Sequence, residues 1–156
     1  MRIAGIDPDT KAIQIVVLDD GGPNIYRLQA AGRRAEDRIQ ALADMLEHSP
    51  VVWRGVQWVY IETPVMGVNA KALRDQAQVV GIIRSFLWRN GLDNSMVDNG
   101  TWKKAVLGNG HASKEEIAAY AKKILNIPDG EPQDAYDAAC IAAFGHQHTV
   151  TEVSNV

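Results

Sequence analysis

Apolar and polar positions change their period along this chain, and the changes mark its elements. Short β-branched runs at 2–7, 12–19 and 25–30 are split by Asp7-Pro8-Asp9-Thr10 and by Gly21-Gly22-Pro23-Asn24, both turn sequences. They predict three strands in an antiparallel meander. The period then becomes helical, with Ile39, Leu42, Ala43 and Leu46 on one stripe of 34–48. Residues 56–63 return to a strand halted by Pro64, and Val56, Trp58, Tyr60 and Glu62 share one of its faces. The longest helix is expected at 69–90, with Asn69 as N-cap, Leu73, Ala77, Val80, Ile83 and Leu87 at helical spacing, and Gly91 ending it.

A fifth strand is expected at 94–98. Thr101 can cap a short helix to Val106, ended by Gly108-Asn109-Gly110. Ser113 with Glu116 forms a capping box for a helix to about Leu125, broken by Asn126 through Gly130. The last helix is expected from near Pro132 to about Phe144, followed by a frayed tail. This order predicts one α/β domain over 1–148 with a five-stranded mixed sheet, and a flexible tail at 149–156.

Composition and charge narrow the classes. Hydrophobic residues are 46% and charged residues 22%, which excludes a disordered chain. No apolar run approaches the roughly 18–20 residues that cross a bilayer. The one cysteine, Cys140, excludes an internal disulfide and a cysteine zinc cluster; it is expected to be buried and inert in a reducing cytoplasm. The net charge of −3 argues against a nucleic-acid binder, but the charge is uneven. Residues 101–125 carry lysines 103, 104, 114, 122 and 123 against Glu115 and Glu116, whereas 126–156 carry no Lys or Arg. A basic track beside an acidic cage has this pattern, and so do two solvated helix faces.

Four carboxylates carry the chemistry. Asp7 ends Ile3-Ala4-Gly5-Ile6, Glu62 ends Val59-Tyr60-Ile61, and Asp134 and Asp137 lie in an alanine-rich helix. Each sits in or beside an apolar run, where an unpaired charge is costly. Asp134 and Asp137 are three apart and leave a helix from one face. Taken singly, each has a plainer reading: a turn residue, a strand-end charge, an acid favoured by a helix N-terminus. Taken together, four hard oxygen donors without His or Cys suit Mg²⁺ or Mn²⁺. Two such ions, about 3.5–4 Å apart, clamp a phosphodiester for in-line displacement.

These residues resemble the RuvC-type Holliday-junction resolvases of the ribonuclease H-like nuclease fold. Gly5-Ile6-Asp7-Pro8 is similar to the family's first motif, and Tyr60-Ile61-Glu62 with Met66 and Asn69-Ala70 to its second. Lys103, Val106, Gly108, Gly110, Ala112 and Lys114 resemble its basic loop and following helix; Leu125, Pro128, Gln133-Asp134 and Asp137-Ala138 resemble its closing motif. The ordered set spans about residues 2–148. The resemblance implies a three-layer α/β fold and a cytoplasmic, metal-dependent crossover junction endodeoxyribonuclease of a bacterium or its virus. It implies a homodimer through the helix at 69–90 and paired symmetric nicks on a four-way junction. By position, Asp7, Glu62, Asp134 and Asp137 are the catalytic metal ligands, and Lys103, Lys104, Lys114, Val65 and Met66 meet DNA.

The chain departs from the pattern at Asp9, where the family commonly has Gly, and at Val65, where it often has an aromatic residue. A valine wedges but does not stack, which points towards broader branched-DNA or flap specificity. A catalytically dead junction-binding module is a further reading, opposed by the presence of all four acids. Gly-Ile-Asp with Thr10 also opens actin-type and sugar-kinase-type enzymes, which need two similar domains. Among the tryptophans, core packing is the ordinary expectation; Trp102, beside Lys103, is the best candidate for a base platform. His111 is a candidate phosphate contact, Gly108-Asn109-Gly110 a hinge, and His146 and His148 part of the frayed tail.

Overall fold

The computed structural model describes residues 1–67 and 69–154, with side chains described through Thr149. Strands β1 (Ile3–Pro8), β2 (Ala12–Asp19) and β3 (Gly22–Gln29) form the expected meander. Helix α1 (Ala35–Glu47) and a one-turn helix α2 (Pro50–Trp53) lead to β4 (Trp58–Glu62). Then come α3 (Ala70–Arg89), β5 (Asp93–Val97), α4 (Asn99–Leu107), α5 (Lys114–Ile124) and α6 (Gln133–Ser154). The sheet order is β3-β2-β1-β4-β5, with β1, β4 and β5 parallel to one another. This is the expected five-stranded mixed sheet.

Strand alternation divides the core into two layers. Ala4, Ile6, Ile13, Ile15, Val17, Val59 and Ile61 point to one face and pack against α1 and α3. Ile3, Val16, Leu18 and Tyr60 point to the other, where they meet α4, α5 and the alanines of α6. The architecture is therefore three layers. A single slip in register would exchange the faces, and both being apolar, turn chemistry has to hold it. Asp20-Gly21 closes the β2–β3 hairpin, with Gly21 N–H donating to Asp19 Oδ1 at 2.8 Å.

Helix α6 lies unusually close to β1. A Cβ placed on Gly5 would stand 2.2 Å from the Ala138 carbonyl oxygen and 2.4 Å from the Ala142 nitrogen. A Cβ on Gly145 would meet the Tyr60 ring at 2.5 Å. Glycine on both surfaces, with alanine between, permits this approach.

Several boundaries differ from the sequence reading. β3 starts at Gly22 because the hairpin loop is only two residues long. The short α2 was not expected; Pro50 at its first position starts it. α4 begins at Asn99 with Asp98 as N-cap, so Thr101 is inside the helix and not its cap. The last helix does not end near Phe144. It continues to Ser154, held by Tyr60 Oη at 3.2 Å from Thr149 Oγ1 and by His148 stacked on Phe144 at 3.9 Å. His146 Nε2 lies 3.2 Å from the Leu18 carbonyl oxygen, so neither histidine belongs to a frayed tail. Residues 155 and 156 lie outside the described residues. Asn69 and the Ser113–Glu116 box cap their helices as expected, through bonds of 2.8 Å to Ala72 N and 3.2 Å to Glu116 N.

Substituting Gly5→Ala is expected to cost about 1–3 kcal/mol, the range for overpacking a filled core. Urea unfolding checks this; an unchanged midpoint would mean that α6 does not rest on β1 as described.

Candidate active site

The register places four polar side chains in one row across the sheet. Asp7 pairs with Gln14, Gln14 with Arg27, and Glu62 follows Ile61, the partner of Ile6. All lie on the face covered by α6, whose first turn carries Asp134 and whose second carries Asp137. Asp7 sits at the centre. Burial, followed by Glu62, Asp137, Asp134 and Asp9, pushes its pKa up to about 9. The structure thus brings together the four acids picked from the sequence, with Asp9 as a fifth neighbour. Asp9 also makes the turn: its Oδ1 accepts from Thr10 N–H at 2.7 Å.

The other acids have protein partners. Glu62 accepts from Trp102 Nε1 at 2.8 Å and Asn99 Nδ2 at 3.2 Å. Burial raises its pKa, and these two bonds oppose the rise. Asp137 Oδ1 accepts from Gln133 Nε2 at 2.9 Å; burial raises its pKa, against that bond and the charges of Lys103 and Lys114. Asp134 Oδ2 lies 3.6 Å from Arg27 Nη1, and the same guanidinium nitrogen donates to Gln14 Oε1 at 2.9 Å. Gln14 is buried, and its Nε2 is fixed on the Tyr26 carbonyl at 2.9 Å.

Trp102 is fully buried and is not a base platform; it orients Glu62. Asn99, Gln14 and Arg27 were not singled out from the sequence. Asn99 had a signal in its place just before the basic segment. Gln14 had one in being a polar residue amid Ile13, Ile15 and Val16. Lys103 lies 5.6 Å over the Trp102 ring, near the acids, and Lys114 is the exposed first residue of α5. Lys104 is exposed on α4, and His111 is exposed in the following loop. Val65 and Met66 are exposed in the loop after β4. Cys140 is buried one turn beyond Asp137, and burial pushes its thiol up to about 12, which keeps it inert.

The donor set fits a hard divalent cation: carboxylates from three elements, crowded enough to raise one another's pKa. Among the described residues, no three His, Cys, Asp or Glu side chains stand arranged to hold a metal as they are. Each acid except Asp7 is turned to a donor of the protein.

A mixed five-stranded sheet with acids at the ends of β1 and β4, faced by a helix carrying two more, is a ribonuclease H-like fold. A model of the family described as crossover junction endodeoxyribonuclease RuvC matches residues 3–146, and the chain belongs to that family. The RuvC of Aliarcobacter butzleri is 28% identical over 147 residues, covering 91% of this chain and 96% of its own. The Thermus thermophilus RuvC structure is similar with a TM-score of 0.81 at 20% identity, over 97% of both chains. T. thermophilus RuvC in complex with Holliday junction substrate matches with a TM-score of 0.81 at 19% identity, over 97% of this chain and 96% of that one. The protein is thus a nuclease of a metal-dependent family. No helix among the described residues is long and apolar enough to cross a membrane.

The raised pKa of Asp7 has a thermodynamic consequence. The folded state holds this proton more tightly than the unfolded chain, so ionising Asp7 opposes folding. Metal-free protein should lose stability as pH rises from the ordinary value of 3.8 towards about 9. Asp7→Asn removes that share: in EDTA at pH 8 its Tm should exceed the wild type's, and at pH 4 the two should converge. Thermal melts at both pH values check this, and a lower Tm for the variant at pH 8 would contradict it.

Proposed function

We propose that this protein is a junction-resolving endodeoxyribonuclease. In this reading Asp7, Glu62, Asp134 and Asp137 hold two divalent cations, Mg²⁺ or Mn²⁺, and a homodimer makes paired symmetric nicks in a four-way junction. The observation that carries it is the convergence of carboxylates from β1, β4 and α6 on Asp7. Divalent cations bound there would polarise the phosphodiester and supply a metal-activated water. The chain's own residues do the rest. Trp102 and Asn99 orient Glu62, Gln133 orients Asp137, and Gln14 with Arg27 orients Asp134. Lys103 and Lys114 offset the acids' charge and hold the strand's phosphates, with Lys104 exposed beside them.

Two features support a homodimer through α3. Trp88 is 60% exposed on this helix, with Arg84 4.6 Å over its ring. Ile82 is only partly buried, and it lines a groove with Ile39 and Ala43 of α1. The T. thermophilus structure with Holliday junction substrate supports branched DNA as the ligand. The catalytic domain is read as 1–148 within a cytoplasmic protein of a bacterium or its virus. One observation favours a broader branched-DNA or flap specificity: exposed Val65 and Met66, which give a flexible aliphatic edge where a ring would stack.

A nicking assay on a synthetic four-way junction tests this, with three-way and flap substrates alongside. Cleavage should need Mg²⁺ or Mn²⁺, and Asp7→Asn should abolish it while junction binding persists. Equal loss of binding and cleavage would make Asp7 structural. Replacing Lys103 or Lys114 should flatten the salt dependence of binding by about 0.9 per lost phosphate contact; an unchanged slope would take them off the DNA face.

A further inference from the structure

A second concentration of positive charge lies across the sheet edge from the acids. The segment before α1 and the start of α1 supply Arg33, Arg34 and Arg38; the first turns of α3 supply Lys71 and Arg74. They line one cleft of about 730 Å³. Five cations therefore face two lining acids, Glu36 and Asp75, in a chain of net charge −3. The two segments are far apart in sequence, so only the fold assembles this field.

The cations are not equivalent. Arg38 is structural: it donates to the carbonyls of Thr10, Gly32 and Arg33 at 3.2, 3.1 and 2.9 Å. Lys71 is bonded at 2.6 Å to Asp75, a largely buried carboxylate that also lies 3.6 Å from Arg74. Arg34 pairs with Glu36 in solvent at 2.6 Å. About two-thirds of the Lys71 and Arg74 side chains, and 72% of Arg34, remain exposed. Exposed pairs of this kind contribute little to stability. Crowding like charges opposes folding, so stability does not explain the cleft.

Position relates the cleft to the nuclease site. Arg38 is tied to the Thr10 carbonyl, and Gln76 of α3 donates to the Pro8 carbonyl at 3.0 Å. Both anchors are on the turn that follows Asp7. The acids, Lys103 and Lys114 lie on the α6 side of the sheet, and the cleft lies on the α1–α3 side of the same edge. Cations thus flank the reacting position from both sides.

We infer that the cleft formed by Arg33, Arg34, Lys71 and Arg74 binds the phosphate backbone of a duplex arm as it leaves the nuclease site across the sheet edge. This rests on the junction-nuclease reading above. Lys103 and Lys114 hold the strand being cut, whereas the cleft holds the arm beyond it. The inserted ligand is a polyanion read by charge and not by base sequence.

The test uses the non-cleaving Asp7→Asn protein as parent and fluorescently labelled four-way junction at several salt concentrations. Arg33→Gln, Arg34→Gln and Arg74→Gln are combined; Lys71 is kept because Asp75 depends on it. The slope of log K against log salt should fall in magnitude by about 0.9 per lost contact, up to about 2.7 for three. The triple Arg→Lys variant should bind like the parent. A parent that binds no junction would sink the junction reading itself. A parent that binds, with a triple Gln variant of unchanged slope, would overturn this inference alone. So would a triple Gln variant whose weaker binding is matched by a change in sedimentation, since the cleft would then face a second copy of the chain.

Discussion

The contact of α6 with β1 governs the rest of the molecule. Gly5 leaves no room for a side chain, and the helix backbone comes to rest where a Cβ would be. That contact decides how far Asp134 and Asp137 stand from Asp7. It also explains the composition of α6, whose buried residues Ala135, Ala138, Ala139, Ala142 and Ala143 are small enough to allow the approach. The same packing brings Glu62 into the group, because β4 runs parallel to β1 and ends beside it. The price is electrostatic. Burial and neighbouring acids favour protonation of Asp7, Glu62 and Asp137, and most strongly of Asp7.

Neutral and cationic donors of the protein hold the acids around Asp7. Trp102 and Asn99 together satisfy Glu62, Gln133 satisfies Asp137, and Arg27 stands against Asp134. These bonds fix side-chain orientation. Asp7 differs: the neighbours that set its pKa are all acids. It is therefore the group whose ionisation would be most tightly coupled to a cation bound there.

Much of this was legible in the sequence, for local reasons. The meander follows from turn residues at Asp7 through Thr10 and at Gly21 through Asn24; the caps at Asn69 and Ser113 follow from short-range hydrogen bonding. The four acids stood out because charge beside apolar runs is costly. What escaped depends on non-local contacts. The last helix outran its expected end because Tyr60, 89 residues earlier, reaches Thr149. Trp102, the tryptophan with the best case for a base platform because it adjoins Lys103, follows the ordinary expectation for its type, its indole being sealed inside by α5 and α6. Arg27 and Gln14 become partners of the site only once β2 and β3 are paired in register. The cleft of Arg33, Arg34, Lys71 and Arg74 joins segments that the charge pattern shows separately.

Two cation sets on opposite sides of one acidic edge suit a substrate that must be gripped around a bend while its backbone is cut. The central claim is narrower: carboxylates from β1, β4 and α6 share divalent ions. Anomalous diffraction from crystals soaked in Mn²⁺ tests it most directly. The expected result is Mn²⁺ bound by Asp7 together with Glu62 and at least one of Asp134 and Asp137, Arg27 having released Asp134 if that residue is a ligand. Mn²⁺ found only elsewhere, with Asp7 uncoordinated in fully soaked crystals, would contradict the account.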